Sequence, residues 1–290
     1  MIEDAILLDC AGDAMPAIVT RPDNGTATVG VLVIVGGPQT RVGSHRQFVL
    51  LARALAAAGL ACLRFDYRGM GDASGAARDF EQVDDDIGVA VAGLKACVPG
   101  IEKVVLWGLC DGATAAAFHA AANDQITGLV MLNPWVRSEA GEAAALVSSY
   151  YGKRVFSLAF WSKFLSGKLD FRKRAAEFIV NLRKSRGGHS TAGQKSSLPD
   201  RLGASLQRYR RPVLLILSGN DLTAAEFISA AHSGRLAEGI KQCDVTRRDL
   251  QDANHTFSSL AWRRWVESAT VAWIAERIDP RLQAASQGAD

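Results

Sequence analysis

The sequence predicts an α/β fold: a doubly wound, mostly parallel sheet with an inserted helical cap. Three observations carry this expectation. Short apolar runs without polar alternation recur along the chain, as strands covered on both faces require. Helical segments separate them, and regular strand–helix alternation favours a parallel sheet with right-handed crossovers. One long interruption, residues 133–209, carries no strand signal. A chain of 290 residues, 48% hydrophobic, is long enough for one large core plus such an insertion.

Taken in order, residues 5–10 and 16–20 read as an opening hairpin. Residues 29–35 (Val-Gly-Val-Leu-Val-Ile-Val) are a buried strand ending in Gly36-Gly37-Pro38. Residues 48–58 have apolar side chains at helical spacing, and 60–65 form the next strand. A glycine-rich loop follows, Asp66-Tyr67-Arg68-Gly69-Met70-Gly71-Asp72-Ala73-Ser74-Gly75. Its predicted role is structural, with Arg68 in a buried ion pair. The helix expected over 80–97 opens on Glu81, Asp84, Asp85 and Asp86, as the helix dipole prefers. Strand 104–109, helix 113–122 and strand 128–132 follow. Beyond the interruption come strand 212–217, strand 243–250 and a last helix over 257–278. The predicted core is therefore 1–132 and 210–290, with the cap at 133–209.

Composition excludes several classes. Residues near the start include Glu3 and Asp4 and form no apolar block, so no signal peptide is expected. No apolar run approaches the ~20 residues of a membrane span. The net charge of +3 implies no nucleic-acid partner. Five scattered cysteines, Cys10, Cys62, Cys97, Cys110 and Cys243, include no C-x-x-C pair. They read as reduced thiols of a cytoplasmic protein, with no metal site.

The chemistry concentrates at Gly108-Leu109-Cys110-Asp111-Gly112. An apolar strand runs into Gly-x-Cys-x-Gly, and small helix-favouring residues follow. That is the strand–elbow–helix layout of G-x-S-x-G, with cysteine in place of serine. The elbow holds its nucleophile in strained backbone, and the glycines let the strand and helix approach. The helix N-terminus favours a thiolate or oxyanion there. A carboxylate at Asp111 opposes that ionisation, whereas a nearby imidazolium promotes it.

A cysteine nucleophile needs a base, and the base needs an orienting group. His255, in Asn254-His255-Thr256, lies beyond the last strand. Asp221, in Ser218-Gly219-Asn220-Asp221, lies past strand 212–217. The chain order nucleophile, acid, histidine is that of doubly wound hydrolases, and all three positions follow C-terminal strand ends. The plain alternative for Asp221 is a helix N-cap. Asp249 and Asp252 remain as other acids. Asn133, after strand 128–132, cannot replace an anion.

These motifs together resemble the α/β-hydrolase superfamily over essentially the whole chain. The segment from Gly36 to Phe48, with Gly-Leu-Cys-Asp-Gly, is similar to the hydrolases encoded beside bacterial exosortase A and exopolysaccharide systems. The resemblance implies a hydrolase and a genomic setting but supplies no substrate; read with the residues, it leads us to expect hydrolysis of an acyl ester or thioester by Cys110, His255 and Asp221, without a cofactor. It also implies an oxyanion hole. One donor is the backbone N–H of Asp111. The other normally follows the third-strand dipeptide, here Gly36-Gly37, but Pro38 has no N–H. Gln39 is therefore the expected second donor. An acyltransferase using the same residues and a non-catalytic scaffold remain the alternatives.

The expected substrate contacts are His45, Phe156, Phe160 and Trp161, although His45 also suits a helix start. Between residues 151 and 188 stand ten Lys/Arg against Asp170 and Glu177, a surplus of eight, so the rest of the chain carries −5. Basic residues flanking an apolar run suit an acyl group on CoA or another anionic carrier, or a membrane surface. A solvated cap face is the plain alternative.

Overall fold

In the computed structural model of the protein, residues 1–37, 39–137 and 196–282 are described. One eight-stranded sheet organises them. Strands β1 (Ile2–Cys10) and β2 (Asp13–Arg21) form the expected antiparallel hairpin, and β2 pairs antiparallel with β4 (Ala61–Phe65). From there every pairing is parallel: β4 with β3 (Val29–Ile34), then β5 (Lys103–Leu109), β6 (Ile126–Leu132), β7 (Pro212–Asn220) and β8 (Asp244–Asn254). The order is β1-β2-β4-β3-β5-β6-β7-β8.

Burial follows position in this sheet. Every residue of β3 and β4 is buried, because helices cover both faces there. At the edges the pattern changes. In β1, Leu7 is 69% exposed while Leu8 and Cys10 face inward. Charged Arg247, Arg248 and Asp249 lie along β8, which blunts that edge against further pairing.

Helix α1 (Gln47–Ala57) buries Phe48, Leu51, Ala52 and Leu55. Phe48 meets Trp107 of β5 edge-on, with ring centroids 5.7 Å apart. Burying such a ring contributes about 1.5–3 kcal/mol. Helix α2 (Asp84–Cys97) keeps its three acids in the first turn and Lys95 in the last, matching the dipole. It begins four residues later than the acidic sequence implied. Phe80 is instead held by a stacked contact with Phe118 of α3 (Asp111–Ala120).

After the undescribed residues, α4 (Leu198–Tyr209) starts under a Ser197 cap that accepts from the Asp200 N–H. It packs on α3 and on α6 (Gly234–Gln242). Helices α5 (Leu222–Ala230) and α6 link β7 to β8. Strand β8 extends beyond the expected Leu250 to Asn254. The last helix, α7 (Leu260–Trp273), starts at a Ser259 cap, three residues after the expected Phe257, and ends in a π-turn over Ile274–Ile278. Most of the expected cap, residues 138–195, lies outside the described residues. Among the described residues, no helix is long and apolar enough to cross a membrane.

Candidate active site

Three strand ends converge on one site. Cys110 follows β5, Asp221 follows β7 and His255 follows β8. Cys110 has φ 62° and ψ −128°, a conformation costly for a side chain with a Cβ. The surroundings enforce it. The Cys110 N–H donates to the Leu132 carbonyl at 2.9 Å, and its own carbonyl accepts from the Trp135 N–H at 3.1 Å. A Cβ on Gly108 would collide with the Gly112 carbonyl. The Gly-x-Cys-x-Gly spacing is thus a packing requirement.

His255 lies between the sulfur and the acid. Its Nδ1 is 2.9 Å from Asp221 Oδ2, and the Cys110 side chain lies close enough to the ring to favour its charge. Asp221 is buried and His255 about one-third exposed. The Asp221 carboxylate, then the Cys110 side chain, raise the His255 pKa from 6.5 to about 10, against the opposing effect of burial. Both partners thus favour the protonated ring. Asp221 also caps α5, accepting from the Thr223 and Ala224 N–H groups at 3.3 and 3.1 Å. One carboxylate thus both contacts His255 and caps α5. Of the other acids, Asp249 pairs with Arg247.

Asn133 ties this site together, a role that sequence reasoning missed. It is fully buried. Its Nδ2 donates to Ser218 Oγ at 2.8 Å and to the His255 carbonyl at 3.1 Å, and its Oδ1 accepts from the Ser218 N–H at 2.9 Å. One amide thereby joins the ends of β6 and β7 to the histidine loop. The available signal was an asparagine directly after a buried strand, a residue that tolerates the left-handed φ of 42° found here.

The loops beside the elbow are fixed by charge. Buried Asp66 accepts from the Arg41 N–H, the Arg41 guanidinium and the Asp72 N–H, joining residues near 41 to the glycine-rich loop. Arg68 makes the expected buried ion pair, bidentate to Asp86 at 3.0 and 2.8 Å. The Gln39 side chain is used locally, with Oε1 accepting from the Ser44 N–H and from Gln47. His45 is exposed on the 3-10 turn Ser44–Arg46, just before α1. The Gly37 N–H points to the Asp111 carboxylate, as do the N–H groups of Gly112 and of Asp111 itself. Burial raises the Asp111 pKa, while these three donors and the His255 charge oppose the rise. Phe156, Phe160 and Trp161 lie outside the described residues. Among the described residues, no group of three or more His, Cys, Asp or Glu could hold a metal ion.

A sulfur, an imidazole and a carboxylate in this line can move a proton to and from the sulfur. The profile of the serine aminopeptidase S33 family of hydrolases matches residues 27–258. The chain belongs to this family. As an S33 family member it is an α/β hydrolase, and its elbow carries cysteine where the family name specifies serine. Solved structures share the fold at low identity. Est1E from Butyrivibrio proteoclasticus, solved with ferulic acid, is 19% identical, with a TM-score of 0.62, covering 94% of this chain and 99% of its own. The Pyrococcus furiosus esterase Pf2001 is 14% identical, with a TM-score of 0.65, covering 96% and 93%. The α/β hydrolase GrgF from a Penicillium species is 14% identical, with a TM-score of 0.62, covering 96% and 99%. No curated protein sequence matches this S33 family member.

Proposed function

We propose that this S33 family member cleaves an acyl ester or thioester through Cys110, His255 and Asp221. The supporting observation is the position of His255, 2.9 Å from Asp221 and close to Cys110 on its strained elbow. The Cys110 thiolate attacks the acyl carbon, and the carbonyl electron pair moves onto oxygen. When the tetrahedral intermediate collapses, the carbon–oxygen or carbon–sulfur bond to the leaving group breaks. His255 gives its proton to that leaving group. Water then adds to the acyl-cysteine, His255 takes its proton, and the thiolate departs. The Asp111 and Gly37 N–H groups are suited to receive the oxyanion, in place of the expected Gln39. Esterase activity in structural neighbours agrees with this reaction class.

The carrier-linked acyl group, the membrane-surface contact and the exosortase-associated subtype rest on sequence features alone. Five free thiols suit a cytoplasmic setting. The direct test is hydrolysis of p-nitrophenyl esters and short acyl thioesters by Cys110→Ala. We expect turnover to disappear while circular dichroism stays native, and Cys110→Ser to retain some esterase activity. Wild-type rates in Cys110→Ala would overturn the proposal.

A further inference from the structure

The Asp111 side chain is half-buried. Its carboxylate takes the Gly112 N–H at 3.0 Å, and the N–H groups of Gly37 and of Asp111 itself favour its charge. Two of these donors, Gly37 and Asp111, are the pair assigned above to the oxyanion. A carboxylate carries the same charge as a tetrahedral oxyanion and takes the same hydrogen bonds. The fold has made room for it. A Cβ on Gly36 would collide with Asp111 Oδ1, with the Leu109 carbonyl and with the Gly112 nitrogen, so glycine is required where the carboxylate meets the elbow backbone. Its charged and titratable neighbours are few. His255 faces it from the end of β8, Cys110 precedes it on the elbow, and buried Tyr67 feels its charge from the loop after β4.

We propose that Asp111 gates the oxyanion hole: its ionised carboxylate fills the hole and competes with the acyl oxyanion, whereas its neutral carboxyl group donates a hydrogen bond to that oxyanion. The inference rests on the Cys110 reading of the same site. The chemistry is simple. The ionised group offers only acceptors, so it and an oxyanion cannot share the same N–H groups without repulsion. Uptake of one proton from solvent turns the carboxyl into a donor, as happens where an apolar site keeps a carboxylic acid neutral beside a developing oxyanion. Burial favours that neutral form. The hole should accordingly select against poorly activated acyl groups at alkaline pH, where an incoming oxyanion must displace the carboxylate.

The test separates the hole from the nucleophile. Alkylation of Cys110 by iodoacetamide needs the thiolate but passes through no oxyanion. The kcat/KM for p-nitrophenyl butyrate needs both. The ratio of the two rates, measured from pH 5 to 9, therefore cancels ionisation of the sulfur. In the native protein we expect this ratio to rise as pH falls. Asp111→Asn, permanently neutral and nearly isosteric, should make the ratio independent of pH and raise it at least about tenfold at pH 8; one oxyanion donor is worth about 100- to 1,000-fold in rate. Asp111→Ala, which empties the hole without supplying a donor, should also give a flat profile, at a level below that of Asp111→Asn. A ratio that is flat in the native protein, with neither variant raising it at pH 8, would overturn the gate and leave the Cys110 reading intact. Hydrolysis persisting in Cys110→Ala would remove both.

Discussion

Removal of the Asn133 amide should damage stability and activity together, and Asn133→Ala is the perturbation that shows it. The substitution deletes the hydrogen bonds to Ser218 Oγ, the Ser218 N–H and the His255 carbonyl. Ser218 is itself buried, so water cannot easily replace the lost partner. A buried polar group left without its partner costs about 1–3 kcal/mol. Two backbone groups are orphaned, giving about 2–6 kcal/mol. Alanine at the left-handed φ of 42° adds about 1–2 kcal/mol. At about 2–4 °C per kcal/mol for large domains, Tm should fall by roughly 6–30 °C. Asn133→Gly separates the causes, since glycine carries no such backbone penalty and should recover only about 1–2 kcal/mol. The assay is thermal unfolding by circular dichroism, beside kcat/KM for p-nitrophenyl butyrate below the transition. The released His255 loop should lower kcat/KM by at least about tenfold, because small misplacements of catalytic groups are expensive. A Tm within 2 °C of native, about 1 kcal/mol or less, with unchanged kcat/KM, would refute the reasoning.

Asp221→Asn keeps a cap for α5 but changes the partner of His255. Its kcat should fall by up to about 10⁴-fold, and Asp221→Ala should lose about 0.5–2 kcal/mol more stability than Asp221→Asn, as urea unfolding would show. The raised pKa of His255 gives a pH signature. A proton held more tightly in the folded state stabilises it fully below pH 6.5, and that contribution disappears as pH rises towards 10. Urea midpoints should decline across this window, and Asp221→Asn should make the decline shallower; an equal decline in both would contradict the assigned cause. If the basic residues between 151 and 188 meet an anionic carrier, kcat/KM for an acyl-CoA should fall with added salt while a neutral ester of the same acyl group responds little. Equal responses would remove the reason to invoke the carrier.

The strands were legible because buried parallel strands leave continuous apolar runs, and all eight expected strands belong to the sheet. Strand β8 was cut short for the opposite reason. Its last residues, Gln251 to Asn254, are largely polar, which an edge strand tolerates and a buried one does not. Helices α5 and α6, nine residues each, were too short to stand out from the loops around them. The positions of Cys110, Asp221 and His255 could be read from motifs at strand ends. Asn133 could not, because its role lies in three contacts made across residues distant in sequence. The expectation of Gln39 as a donor followed from counting residues past Gly36-Gly37. The direction of the Asp111 side chain, and with it the Gly37 N–H, depends on a close approach that no spacing records.

The central claim is a covalent acyl intermediate on Cys110. Rapid mixing with p-nitrophenyl butyrate, acid quench and intact-mass spectrometry tests it most directly, with peptide mapping to locate the adduct. The account predicts a butyryl adduct on the peptide containing Cys110, formed with the p-nitrophenol burst, persisting longer in His255→Ala if it forms there, and absent from Cys110→Ala. A p-nitrophenol burst of one equivalent with the butyryl group on another residue would contradict it.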